Sequence, residues 1–267
     1  MTGRRSRRDP SDSVPRCAGS ARFSPSPAAS LRPWCSGCSA SEAVTSPPRS
    51  LVLASSSARR IDILRRAGVR FRAMTPGIAE HPPRPLSPVR LVRWAAEAKA
   101  EAVAGRARGA VVVAADTEVV LDGRVFGKPR DRRQAAEFLR ALSGRTHLVY
   151  TAIQVIDGRS GCRAQGISRT YVTMRELSAS VISTYVRSGE AQDKAGAYAI
   201  QGEGRRLVTS IRGPYDNVVG MPMRLLTRLL GECGIPLPAK NPDGLQHYVT
   251  TTTRLAPGRS AIRPAGH

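Results

Sequence analysis

Along residues 50–237, apolar positions recur in two periods, one near 3.6 and one near 2. The switches between them outline a succession of helices and strands. Leu51-Val-Leu-Ala is a short continuous apolar run of the kind that makes a buried strand. A helix is predicted from Ala58 to about Ala67, with Ile61, Leu64 and Ala67 facing inward and Gly68 closing it. Ser87 as cap and Pro88 at the first position open a second helix, which ends before Gly105. Val111-Val-Val-Ala-Ala reads as a second buried strand, and residues 118–126 as a hairpin around Asp122-Gly123. Asp131, with Gln134 three residues on, caps a helix that runs to about Leu142. Strands near 146–156 and 168–174 follow, then a helix near 179–187, a loop-rich stretch and a strand near 207–211. A last helix over 222–233 is stopped by Gly234 and Pro236. The mixed order predicts an α/β or α+β architecture with helices packed on a sheet.

Outside that unit the periodicity vanishes. Residues 1–48 are rich in Arg, Ser and Pro and read as a disordered extension. Residues 238–267 read as a disordered tail, leaving one folded domain over 49–237. No apolar run is long enough to span a membrane, and the basic N-terminus lacks the apolar core of a secretory signal, so a cytoplasmic location is expected. Five cysteines, an odd and sparse set, argue against a disulfide framework. The Cys35/Cys38 pair has no second pair at zinc-site spacing and reads as incidental.

The formal net charge of +22 raises nucleic-acid binding, but the charge is spread along the chain and gathers in no stripe. Of the 42 basic residues 38 are arginine, a bias that makes the four lysines, Lys99, Lys128, Lys194 and Lys240, informative. In such a background a lysine marks a place where a compact point charge suits and a planar fork does not.

Candidate chemistry gathers in a few strings. In Leu53-Ala-Ser-Ser-Ser-Ala-Arg-Arg a strand runs through three serines into a helix start, where free N–H groups make an anion site. Ser55 and Ser57 add hydroxyl donors, and Arg59 and Arg60 can fork onto phosphate oxygens. Two arginines in a first helical turn oppose the helix dipole by a few tenths of a kcal/mol. A plain serine cap with two surface arginines accounts for this string equally well. In Ala114-Ala-Asp116-Thr117 a carboxylate stands where the buried strand is expected to end, the usual ligand edge of an α/β sheet. There it could hold a cation or orient a water, or simply cap a turn. Lys128 lies between Gly127 and Pro129 on a stiff turn suited to a phosphate contact. Lys99 shares a helix face with Val92 and Ala96, so it either snorkels or meets an anion in a cleft. In Asp193-Lys-Ala-Gly-Ala-Tyr-Ala-Ile-Gln201-Gly202, glycines let the backbone approach a ligand, and the Gln201 amide can donate to and accept from a base edge.

Taken in order, LASSSARR at 53–60, AEAKA at 96–100, AADT at 114–117, GKPRD at 127–131, LSGRTH at 142–147, SGEAQDKAGAYAIQG at 188–202 and YDNVVGMP at 215–222 resemble the motifs of the Maf family. The resemblance covers the whole folded unit. It implies a mixed twisted sheet flanked by helices, similar to the inosine triphosphatases, with a substrate cleft. It also implies a nucleoside triphosphate pyrophosphatase that uses a divalent cation, Mg²⁺ or Mn²⁺, and forms a homodimer. Asp116 matches the family's proton acceptor, and Arg59, Thr117 and Gln201 match positions tied to substrate choice. Arg60, Glu80, Lys99, Lys128 and Asp193 match polar residues of the pocket, with Glu80 and Asp116 expected to hold the cation. ADT and DKAGAYAIQG are of the type found in members acting on dTTP and UTP, in preference to 7-methyl-GTP. A nucleotide-binding regulator of cell division is the alternative from another class. Departures are few: Ala58 replaces a usual proline, Glu118 a usual Val or Ile, and Ala199 a usual glycine. Glu118 puts a second negative charge beside Asp116.

Overall fold

The computed structural model describes residues 49–79, 82–237 and 253–254. The extension at 1–48, most of the tail at 238–267 and Glu80 lie outside the described residues.

Strand β1 (Leu51–Leu53) pairs in parallel with β2 (Arg72–Ala73) on one side and β3 (Val111–Leu121) on the other. From β3 the sheet continues antiparallel through β5 (Thr146–Asp157), β6 (Arg163–Met174), β7 (Val208–Arg212) and β8 (Thr253–Arg254). Strand β4 (Arg124–Phe126) folds back on β3. The result is one mixed sheet with helices on both faces, the expected architecture.

Helix α2 (Pro88–Ala104) covers one face. Its Ala100 and Val103 meet Val52, Val112 and Ala114, and its Val92 and Ala96 meet Ala152. The alternate residues of the same strands, among them Leu53, Val113, Ala115 and Ile153, build the larger core on the other face. They pack there with α1 (Ala58–Arg66), α3 (Arg132–Leu142), α4 (Ala179–Arg187) and α6 (Met223–Glu232). A short helix, α5 (Tyr215–Val219), lies on β5 and β6.

Of the two predicted caps, Ser87 stands at the cap position of α2 without a side-chain capping bond, and Asp131 makes one. Asp131 accepts a 2.7 Å bond from the Gln134 N–H at the start of α3, and the β3–β4 hairpin turns through Asp122 and Gly123, both at positive φ.

Several expectations are corrected. The buried strand that begins at Val111 does not end at Asp116. β3 continues to Leu121, and its ladder with β5 is unbroken from Val111↔Asp157 to Val120↔Leu148. Asp116 and Thr117 are tolerated mid-strand because each finds a polar partner there. Helix α1 buries Ile63 with Leu64 and Ala67, while Ile61 is only partly covered. Strand β2, helix α5 and strand β8 have too few residues to show a period. β8 falls within the segment expected to be a tail. The cysteines also differ from the expectation: Cys162, at the start of β6, and Cys233, just past α6, form a disulfide across 71 residues of sequence. A count of thiols speaks to a framework of several bridges and is blind to a single staple that folding brings together.

Candidate functional site

At the β1–α1 junction the backbone leaves the sheet through Ser55 and enters α1 at Ala58, with Ser57 as cap residue. No acidic residue sits in the first turn of α1, and the Ser57 side chain makes no capping bond, so the N–H groups there remain available to an anion. Ser55 is buried, and its Oγ accepts from the Ser57 N–H at 3.2 Å and from Arg60 Nη1 at 3.4 Å. This helix start forms one wall of a cavity of about 910 Å³.

The cavity gathers every described residue expected from the sequence: Ser55, Ser57, Arg59, Arg60, Lys99, Asp116, Thr117, Lys128, Asp193 and Gln201 all line it. Glu80 lies outside the described residues.

Asp116 and Lys99 form the buried centre. Asp116 projects from the middle of β3 toward α2, where Lys99 Nζ donates to its Oδ1 at 2.6 Å. The two residues are 5% and 7% exposed. Lys99 therefore does not snorkel. Asp116 Oδ2 is buried, with no hydrogen-bond partner among the described residues. An unmet carboxylate oxygen in a cavity wall is the kind of acceptor that a water or a cation satisfies. Glu118 follows two residues along the same strand face, also on the cavity wall, with Oε2 beside Gly127. Among the described residues no group of three or more acidic, His or Cys side chains could hold a metal by itself. One or two carboxylates suit Mg²⁺, whose remaining ligands are waters and phosphate oxygens.

Residues between Glu190 and Gly202 supply another part of the wall. Lys194 pairs with Asp193 and donates through Nζ to the Glu190 carbonyl at 2.8 Å. Burial pushes the Asp193 carboxyl up, but Lys194 and the charge of Arg59 together hold it below its ordinary value. The Glu190 carboxylate accepts from the Gly204 N–H at 2.8 Å, which ties the two ends of the segment. Gly196, at φ 72°, rests on Val119 so closely that a Cβ would lie 2.9 Å from that side chain. Gln201 and Lys128 are exposed at the cavity rim.

Beneath this segment Tyr198 lines the cavity, and its hydroxyl meets His147 Nε2 at 2.7 Å. In the sequence His147 is one letter of the LSGRTH motif, and its burial depends on the β5 register. Burial lowers the His147 pKa from 6.5 to about 4. Between these values the unfolded chain holds a proton that the folded chain does not, so stability falls as pH drops from about 6.5 to about 4. The gap amounts to about 3 kcal/mol. Asp216, raised by burial to about 6, acts in the opposite sense over much the same window. Comparing wild type with His147→Gln cancels the Asp216 contribution. The variant is expected to lose markedly less stability than wild type between pH 7 and pH 4 in urea titrations, and parallel losses contradict the assignment.

Arg60 is held from three sides. Nε donates to the Gly220 carbonyl at 2.9 Å, Nη2 to Thr117 Oγ1 at 3.0 Å, and Nη1 to Ser55 Oγ. Gly220 is at φ 111°, and a Cβ there would stand 3.3 Å from Arg60 Nε and 3.2 Å from Thr117 Oγ1. Only glycine lets the backbone come this close.

In comparisons with known proteins, the family model described as Maf-like protein matches residues 50–233. A dTTP/UTP pyrophosphatase of Pelotomaculum thermopropionicum is 45% identical over 186 residues, which is 70% of this chain and 97% of the relative. One from Moorella thermoacetica is 46% identical over 185 residues, 69% of this chain and 95% of the relative. One from Myxococcus xanthus is 45% identical over 188 residues, 70% of this chain and 94% of the relative.

Proposed function

The chain belongs to the Maf family, and from that membership we propose that it is a nucleoside triphosphate pyrophosphatase acting on dTTP and UTP, releasing the nucleoside monophosphate and pyrophosphate. The observation that carries the reading is the cavity itself. A helix N-terminus with Arg59 and Arg60 faces a buried carboxylate that has one oxygen left unmet, and Gln201 stands at the rim.

Each residue then has a task its position allows. The N–H groups at the start of α1, with Arg59, Arg60 and Lys128, neutralise the triphosphate. Lys99 fixes the Asp116 carboxylate through Oδ1, which leaves Oδ2 to orient a water and accept its proton. The water oxygen bonds to the α-phosphorus, the bond from that phosphorus to the bridging oxygen breaks, and pyrophosphate leaves with the electron pair. Gln201 reads the pyrimidine edge by donating and accepting. Asp116 and Glu118 are the described carboxylates that would hold Mg²⁺ or Mn²⁺, which supplies charge neutralisation on the phosphates when bound. Most of the catalysis is positioning and charge stabilisation, as is general in phosphoryl transfer. The same reading extends to a cytoplasmic homodimer. Among the described residues no helix is long and apolar enough to cross a membrane.

The point of attack is tested in ¹⁸O-water. Attack at the α-phosphorus places the label in the monophosphate. Label in the pyrophosphate overturns the proposed chemistry.

A further inference from the structure

Thr117 stands directly opposite Thr151 in the β3–β5 ladder, and the two hydroxyls are 3.0 Å apart. Thr151 is fully buried, and its hydroxyl donates to the Asn217 carbonyl at 2.8 Å. A hydroxyl has one hydrogen. Since Thr151 spends its own on Asn217, the hydrogen between the two threonines belongs to Thr117. Thr117 Oγ1 in turn accepts from Arg60 Nη2. The chain of bonds therefore has one direction, from Arg60 to Thr117 to Thr151 to the carbonyl of α5.

That carbonyl is itself anchored. The Asn217 Nδ2 donates to the Val149 carbonyl on β5 and to Thr170 Oγ1 on β6, both at 3.0 Å, so α5 is pinned to the sheet. Three residues further on, Gly220 offers its carbonyl to Arg60 Nε. One short helix thus reaches Arg60 by two routes, directly through Gly220 and through the two threonines.

We propose that Thr151 and Asn217 are positioning residues that aim the Arg60 guanidinium at the bound triphosphate, and that Thr117 serves this relay and does not donate to the nucleotide. The only hydrogen of Thr117 is committed to Thr151, so it has none for a ligand while the relay stands. The proposal deepens the pyrophosphatase reading and rests on it for the substrate.

The test separates a hydroxyl role from a packing role. Thr151→Val keeps the shape and removes the hydroxyl, whereas Thr151→Ser keeps the hydroxyl and removes a methyl. If the relay aims Arg60, Thr151→Val lowers kcat/KM for dTTP roughly tenfold, Thr151→Ser recovers most of it, and Thr117→Val/Thr151→Val is no worse than Thr117→Val alone. If Thr151 only packs, the order reverses, with valine near wild type and serine impaired, and the proposal falls.

A second readout needs no turnover. In nucleotide-free protein labelled with ¹⁵N-arginine, the guanidinium signal of Arg60, assigned by its loss in Arg60→Lys, is expected to be restrained in wild type and Thr151→Ser and averaged in Thr151→Val. Identical signals in all three overturn the relay. If the wild-type chain hydrolyses no triphosphate, the pyrophosphatase reading fails, and this second readout alone decides the relay.

Discussion

Asp116→Asn is expected to lower turnover of dTTP by about 10²–10⁴-fold, the usual range for loss of a general base, while the protein stays folded. The asparagine keeps an oxygen where Lys99 Nζ now donates at 2.6 Å, so the local geometry has a replacement acceptor. What it loses is the ability to take a proton at the position of Oδ2, the one oxygen of the pair that has no hydrogen-bond partner among the described residues. KM is expected to stay level or fall, because a carboxylate repels a triphosphate and its removal relieves that repulsion. A split of this kind, kcat down and KM not up, marks an interaction made in the transition state. Steady-state kinetics on the purified variant, with a thermal melt beside them, check both halves. Near-wild-type kcat removes Asp116 from the chemistry.

The second large effect concerns stability. Lys99→Met is expected to destabilise the fold by about 3–5 kcal/mol, because it leaves the Asp116 carboxylate buried with no counter-charge. Asp116 is 5% exposed on a face otherwise lined by Val112, Ala114 and Ala152, so a water that reaches it from the cavity supplies a hydrogen bond but no counter-charge. The double variant Lys99→Met/Asp116→Asn should recover much of the loss, since the amide is neutral and Met is close to Lys in length. Urea unfolding of the four proteins gives the coupling directly. A Lys99→Met variant as stable as wild type, or a double variant whose losses simply add, means that the pair contributes little to the fold. The same pair gives a reason for a lysine here among so many arginines. A guanidinium is a broad planar fork, whereas the single short contact to Asp116 Oδ1 suits a compact ammonium.

Much of this site is legible along the chain because its parts are local. The helix start after three serines, the glycine-flanked lysine at 128 and the run from Asp193 to Gln201 each hold their geometry within about ten residues, and each lies on the cavity wall. What is not legible depends on register. Thr151 is one threonine in a β-rich run, and only its placement opposite Thr117 gives it a partner. Asn217 and Gly220 reach Thr151 and Arg60 through backbone carbonyls, and the side-chain bonds of Asn217 form only once α5 has packed on the sheet. The place of Asp116 in its strand was misjudged for a related reason. A polar pair after five apolar residues looks like a strand end, and mid-strand polar residues are stable only because Lys99 and Thr151 arrive from elsewhere in the sequence. The Cys162–Cys233 bridge is another contact that exists only once α6 has packed against β6.

Glu118 is the residue that most sets this chain apart from the family pattern. It places a second carboxylate on the cavity wall, on the same strand face as Asp116. If the proposed cation binds there, the expected effect of Glu118 is on cation preference and rate within the same reaction class.

The measurement that bears most directly on the central claim is pyrophosphate release by the purified full chain, with Mg²⁺ or Mn²⁺, across dTTP, UTP, CTP, GTP and 7-methyl-GTP. The account predicts release from dTTP and UTP well above the others, abolished by Asp116→Asn. Release chiefly from 7-methyl-GTP would contradict the pyrimidine assignment. No release from any of the five by the folded protein would contradict the enzyme and favour a nucleotide-binding regulator in its place.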